Sequence, residues 1–123
     1  MFIRSSLTLF IFILLACGKP LPTLEGIDLD RWKGDKNACK GDRLLMQYAM
    51  RSELSKLKGL SEMDILKMLG RPDENELYKR NQKFYFYFIT RGPACPDSDS
   101  VSMALSLRFN AMGYAQIVSI DRR

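Results

Sequence analysis

Three cysteines, Cys17, Cys39 and Cys95, and no histidine set the limits of the chemistry this sequence can do. A closed zinc site takes about four thiolate or imidazole ligands, which three cysteines alone do not supply. No two cysteines stand in a C-x-x-C spacing, so the usual thiol–disulfide exchange motif is missing. The absence of histidine removes the commonest general base at neutral pH. Asp28, Asp30 and Asp35 around Trp32 have the acidic density of a calcium loop, but counted from Asp28 the fifth position is Trp32 and the sixth is Lys33. An EF-hand needs an oxygen ligand and a glycine there. No serine, cysteine or carboxylate constellation has the spacing of a nucleophile with its base. The chain therefore reads as a non-enzyme, with no catalytic residue, metal site or cofactor.

The 123 residues suit one domain, and 46% apolar with 27% charged residues is an ordinary globular balance. Nineteen Lys and Arg against 14 Asp and Glu give a formal net charge of +5. The cations are scattered rather than clustered, which argues against a nucleic-acid partner and leaves anionic lipid headgroups or a solvated surface.

The N-terminal residues address the compartment. Met1 to Ser6 carries one cation, Arg4, and Leu7 to Ala16 is apolar but for Thr8. That is the pattern of an export signal, which also places the mature chain away from nucleic acid. The run gives way at Gly18-Lys19-Pro20, short of the roughly 20 apolar residues that span a bilayer. Its end, Leu14-Leu15-Ala16-Cys17, resembles the lipobox of bacterial lipoproteins. The resemblance implies removal of residues 1–16 and acylation of Cys17 with three chains, palmitate among the usual ones. Each buried methylene contributes about 0.8 kcal/mol, so such an anchor is effectively permanent. Gly18, where an aspartate would retain such proteins in the inner membrane, is similar to the pattern sorted to the outer membrane, facing the periplasm. With Cys17 acylated, Cys39 and Cys95 remain in an oxidising compartment and are expected to pair as a structural disulfide, which loop entropy values at about 4 kcal/mol.

The elements follow from periodicity and caps. Residues 17–41 read as a lipidated tether and entry segment, with Trp32 packing that segment onto a domain at 42–123. Asp42 is expected to cap a helix running to about Lys58, with Met46, Met50, Leu54 and Leu57 as its core stripe and Leu45, Tyr48 and Ala49 widening it. Ser61 and Asp64 approximate a capping box, and Gly70 and Pro72 stop the second helix at residues 62–69. A polar connection at 73–82 leads to an aromatic strand at 83–90. Its Phe84, Phe86 and Phe88 are expected inward, and Tyr85 and Tyr87 outward as the candidate interaction surface. Val101 to Phe109 alternates as a second strand, Asn110-Ala111-Met112-Gly113 is a turn, and Tyr114 to Ile120 returns as a third. The expected fold is α+β, two helices on a three-stranded antiparallel meander sheet (ααβββ).

Over residues 57–121 this pattern resembles the small outer-membrane lipoprotein A domains, the BamE-like family. The residues that carry it are Leu57-Lys58-Gly59-Leu60-Ser61, Ile65, Leu69-Gly70-Arg71-Pro72, the strand Phe84 to Phe88 and the turn Phe109-Asn110-Ala111-Met112-Gly113. It implies a protein-binding accessory at the periplasmic face of the outer membrane, with the β-barrel assembly machinery as partner. The same helix-and-sheet unit is similar to the repeats of β-lactamase inhibitory protein, which keeps a periplasmic inhibitor or ligand-binding module open.

Overall fold

Ser61 and Gly70 bracket the helix that the sequence marks most sharply. The Ser61 side chain accepts from the Asp64 amide, the Gly70 amide donates to Leu66 O, and the helix occupies Glu62–Leu69. The computed structural model describes residues 20–98 and 101–123. In it the chain is α+β, with α1 (Leu29–Gly34), α2 (Asp42–Leu45), α3 (Gln47–Leu57) and α4 (Glu62–Leu69). Strands β1 (Glu74–Tyr78), β2 (Gln82–Phe88), β3 (Met103–Phe109) and β4 (Ala115–Arg122) follow, joined as one antiparallel meander in chain order.

Helices cover one face of the sheet. Met50, Leu57, Ile65 and Leu69 meet Leu105, Leu107 and Phe109 in one buried cluster, which also takes in Leu24 and Trp32. Packing thus begins well before residue 42. Trp32 is buried as expected, but its segment is helical: Asp28 accepts from the Asp30 and Arg31 amides and starts α1. A six-residue helix with three charged neighbours has too short an apolar stripe to show as a period.

The expected helix from Asp42 is broken. Gly41, left-handed at φ 85, holds the N-cap position, and Asp42 turns outward to Arg31 at 2.9 Å. The break at Met46 separates α2 from α3, and Leu45 and Tyr48, expected on the core stripe, are exposed.

The expected polar connection contains β1, the fourth strand. Its pairing with β2 runs from Glu74↔Phe86 to Tyr78↔Gln82. An edge strand that buries almost nothing needs no apolar alternation, so Glu-Asn-Glu gave no sign of it.

Candidate interaction surface

Of the cysteines, Cys17 lies outside the described residues. Cys39 and Cys95 are joined by a disulfide, with Cα atoms 5.4 Å apart. The bond ties a turn at residues 36–38 to the loop after β2, where the Gly92 amide donates to Asn37 O at 2.8 Å. A Cβ on Gly92 would stand 2.6 Å from the Phe88 ring, so only glycine lets this loop approach β2 so closely.

Tyr85 and Tyr87 face inward, which corrects their assignment as an outer surface: they are 9% and 0% exposed. Both faces of β2 are aromatic, so alternation alone could not orient the strand. The hydroxyls fit the inner face because α4 offers an acceptor at each end. Tyr85 donates to Glu62 Oε1 at 2.9 Å, and Tyr87 donates to Gly70 O at 2.8 Å. Gly70 lies past the last turn, where helix carbonyls lack partners within the helix. Burial, then the Glu62 carboxylate beside it, pushes the Tyr85 hydroxyl up to about 12. Burial also raises Tyr87 above the ordinary tyrosine value.

The phenylalanines therefore take the outer face, and that face is covered by the chain itself. Phe88 packs with Ala38 and Ala104 beneath the disulfide-linked turn. Phe84 and Phe86 stack with centroids 5.8 Å apart, and the Arg123 guanidinium lies 3.6 Å above Phe86 while pairing with Glu74 and Glu76. Arg108 lies over Tyr78 and Phe84 and donates to Gln82 Oε1 at 2.6 Å. Rings capped by already paired guanidiniums leave little unpartnered area for another molecule.

Beneath the disulfide, Arg43 is buried. Its guanidinium donates to Asp73 Oδ2 at 2.6 Å, to Phe88 O at 3.1 Å and to Trp32 O at 3.0 Å, and stands 4.9 Å from the Trp32 ring centroid. Asp73 also accepts the amides of Asn37 and Phe88, and the buried Asp35 accepts those of Lys40 and Arg43. The Arg43, Asp73 and Asp35 side chains are all partnered, although the buried Trp32 Nε1 is not, so this network fastens α1, α2 and β2 together rather than presenting a reactive side chain.

The opposite end of the sheet is different. Residues 59–62 and 113–115 meet there through main-chain bonds: Gly59 N to Ala115 O at 2.8 Å, Ala115 N to Leu60 O at 2.8 Å, and Glu62 N to Gly113 O at 3.0 Å. Asn110 shapes the turn, its Oδ1 accepting from the amides of Met112 and Tyr114. Gly113 has φ +84, and a Cβ there would stand 3.3 Å from Glu62 Oε2. Glu62 in turn accepts from both Tyr85 and Lys83, tying the junction to β2.

Three large side chains flank this junction and point to solvent: Met63 at 63% exposure, Met112 at 79% and Tyr114 at 48%. Exposed methionines form an adaptable, polarizable contact area. The sequence held a signal for two of them. Met63 lies off the Ile65 and Leu69 stripe of α4, and Met112 stands in a four-residue turn too short to bury it. Among the described residues, no three cysteine, aspartate or glutamate side chains group as metal ligands, and no helix is long and apolar enough to cross a membrane. No family model, curated protein or solved structure matches the chain.

Proposed function

We propose that this protein is a non-enzymatic lipoprotein of the bacterial outer membrane, anchored through acylated Cys17 and facing the periplasm. It binds a protein partner at the tip formed by residues 59–63 and 110–114. The observation that carries the binding role is the exposure of Met63, Met112 and Tyr114 around one junction fixed by main-chain hydrogen bonds. Such a surface combines a rigid backbone with soft apolar side chains, a composition suited to a protein interface core. The lipobox-like Leu14-Leu15-Ala16-Cys17 supports the anchor. The residues shared with BamE-like domains favour the β-barrel assembly machinery as partner, since two of those segments build the tip.

Affinity purification of the tagged protein from bacterial membranes in mild detergent tests this reading. Barrel-assembly subunits recovered above a Cys17→Ser control are the expected result. Recovery of a soluble periplasmic enzyme instead would favour the inhibitor-like module, and a mature mass without acyl chains would overturn the anchor.

A further inference from the structure

Against the disulfide-linked turn lies an open cleft of about 220 Å³, lined by Lys36, Asn37, Arg71, Pro72 and Asp73. Two cations therefore line it, and both Lys36 and Arg71 are exposed. A third stands beside them: a Cβ on Gly70 would lie 3.1 Å from Lys33 Cγ, so the Lys33 stem rests against the residue that precedes Arg71. None of the three has an ion-pair partner among the described residues. The acids nearby are already committed. Asp73 in the lining pairs with Arg43 and accepts the amides of Asn37 and Phe88. Asp35 is fully buried and accepts the Lys40 and Arg43 amides, and Glu74 pairs with Arg123. One wall of the cleft is firmly fixed. Asn37 and Ala38 are both left-handed at φ 58, a costly conformation for residues with a Cβ. The Cys39–Cys95 disulfide, Asp73 on the Asn37 amide and Gly92 on its carbonyl hold them there. With its main chain bonded on both sides, Asn37 has its carboxamide left to meet a ligand.

We propose that this cleft binds the phosphoryl group of a small soluble phosphate ester, held by Arg71, Lys36 and the Asn37 carboxamide. The site depends on neither the lipid anchor nor the partner tip. Charge carries the assignment. A phosphate monoester carries nearly two negative charges at neutral pH, and three cations without counter-ions around one small cleft favour it over a singly charged carboxylate. The donors divide as phosphate recognition needs: the Arg71 guanidinium offers a planar fork and the Lys36 ammonium a compact charge. Size limits the rest of the ligand. Ordinary small-molecule pockets begin at about 300 Å³ and are mostly apolar. This smaller cleft, lined by charged and amide side chains, suits a phosphoryl group on a short alcohol or a sugar. Position favours a soluble source over a membrane one. Thr23 O accepts from Lys56 Nζ at 3.0 Å, and a Cβ on Gly26 would stand 3.1 Å from the Ala49 Cβ, so the chain towards Cys17 leaves by the C-terminal end of α3. That end leads into Gly59 and the tip. The cleft lies at the other end of the sheet, where Asp73 N donates to Phe86 O.

The test titrates isotope-labelled mature protein, with its disulfide intact, with glycerol phosphate at constant ionic strength, using acetate and chloride as matched controls. The expected result is saturating amide shifts centred on Lys36, Asn37, Arg71 and Asp73 that chloride does not produce. A Lys36→Ala/Arg71→Ala variant, altered only at exposed positions, should bind roughly tenfold or more weakly, since it gives up two charge-assisted hydrogen bonds. Its urea midpoint should stay in place. Acetate shifts as large as those from glycerol phosphate would show a general anion surface and overturn the phosphoryl assignment. So would shifts that do not saturate, shifts centred on the tip, or a double variant that binds as well as the unaltered protein. Phosphatidylglycerol vesicles form the last arm and should leave these amides unchanged. Perturbation by vesicles, with none by glycerol phosphate, overturns the soluble source. Partner recovery is measured in a separate experiment, so loss of this site and loss of the tip are told apart.

Discussion

The two ends of the sheet are held by different physics. At the Phe88↔Ala104 end, a disulfide, a buried ion pair and main-chain acceptors around one guanidinium lock α1, α2 and the turn at 36–38 to β2 and the loop after it. At the Lys83↔Phe109 end, about 17 Å away by strand rise, main-chain bonds and a partly exposed Lys83–Glu62 pair hold the junction, and its largest apolar side chains face outward. The locked end buries its polar groups among partners, and the tip holds a hydrogen-bonded backbone under exposed side chains. Substitutions in the buried network of the first end should therefore report on folding, and substitutions at the second on partner binding.

The largest effect is expected from Arg43→Ala. It leaves the Asp73 carboxylate buried without its cation and strips Trp32 O and Phe88 O of a donor, a loss of about 3–5 kcal/mol. Urea unfolding followed through buried Trp32 reads it directly. A loss below about 1 kcal/mol would mean that the network is loosely solvated and the contrast between the ends is false.

Removing the disulfide with Cys39→Ala/Cys95→Ala is expected to cost about 4 kcal/mol, since the cross-link closes a loop with a sequence separation of 56. The same shift should follow when the unaltered protein is reduced before the urea series.

At the tip the expected costs are smaller. Gly113→Ala forces a left-handed φ of +84 on a residue with a Cβ and presses it toward Glu62, which should cost about 1 kcal/mol. Lower recovery of the partner with that modest loss of stability would sharpen the comparison.

The smallest effect near neutral pH belongs to Tyr85. Its folded pKa is raised to about 12 from 10.0, so the fold favours the protonated hydroxyl. That contribution is fully present below pH 10 and is lost as pH rises from 10 towards 12. Tyr85→Phe should flatten this part of the stability profile, measured as the urea midpoint against pH.

What the sequence disclosed depended on how local the cause was. Helix α4 was legible because Ser61, Asp64, Gly70 and Pro72 act within a few residues, and β3 because Leu105, Leu107 and Phe109 alternate against polar neighbours. The Asn110–Gly113 turn was legible for the same reason. The orientation of β2 was not, since tyrosines and phenylalanines make both its faces apolar and the choice was made by acceptors on a distant helix. Strand β1 hid behind its charges. The Arg43–Asp73 pair joins residues thirty positions apart, and no spacing rule connects them. Exposure of Leu45 and Tyr48 followed from the break at Met46, which apolar periodicity does not register.

The measurement that bears most directly on the central claim is quantitative recovery of membrane partners by the unaltered protein and by a Met63→Ser/Met112→Ser variant. Both side chains are largely exposed, so the urea midpoint should move by no more than about 0.5 kcal/mol. The account predicts that partner recovery falls at least tenfold while stability holds. Full recovery by the variant would contradict it and show that the tip is not where this protein meets its partner.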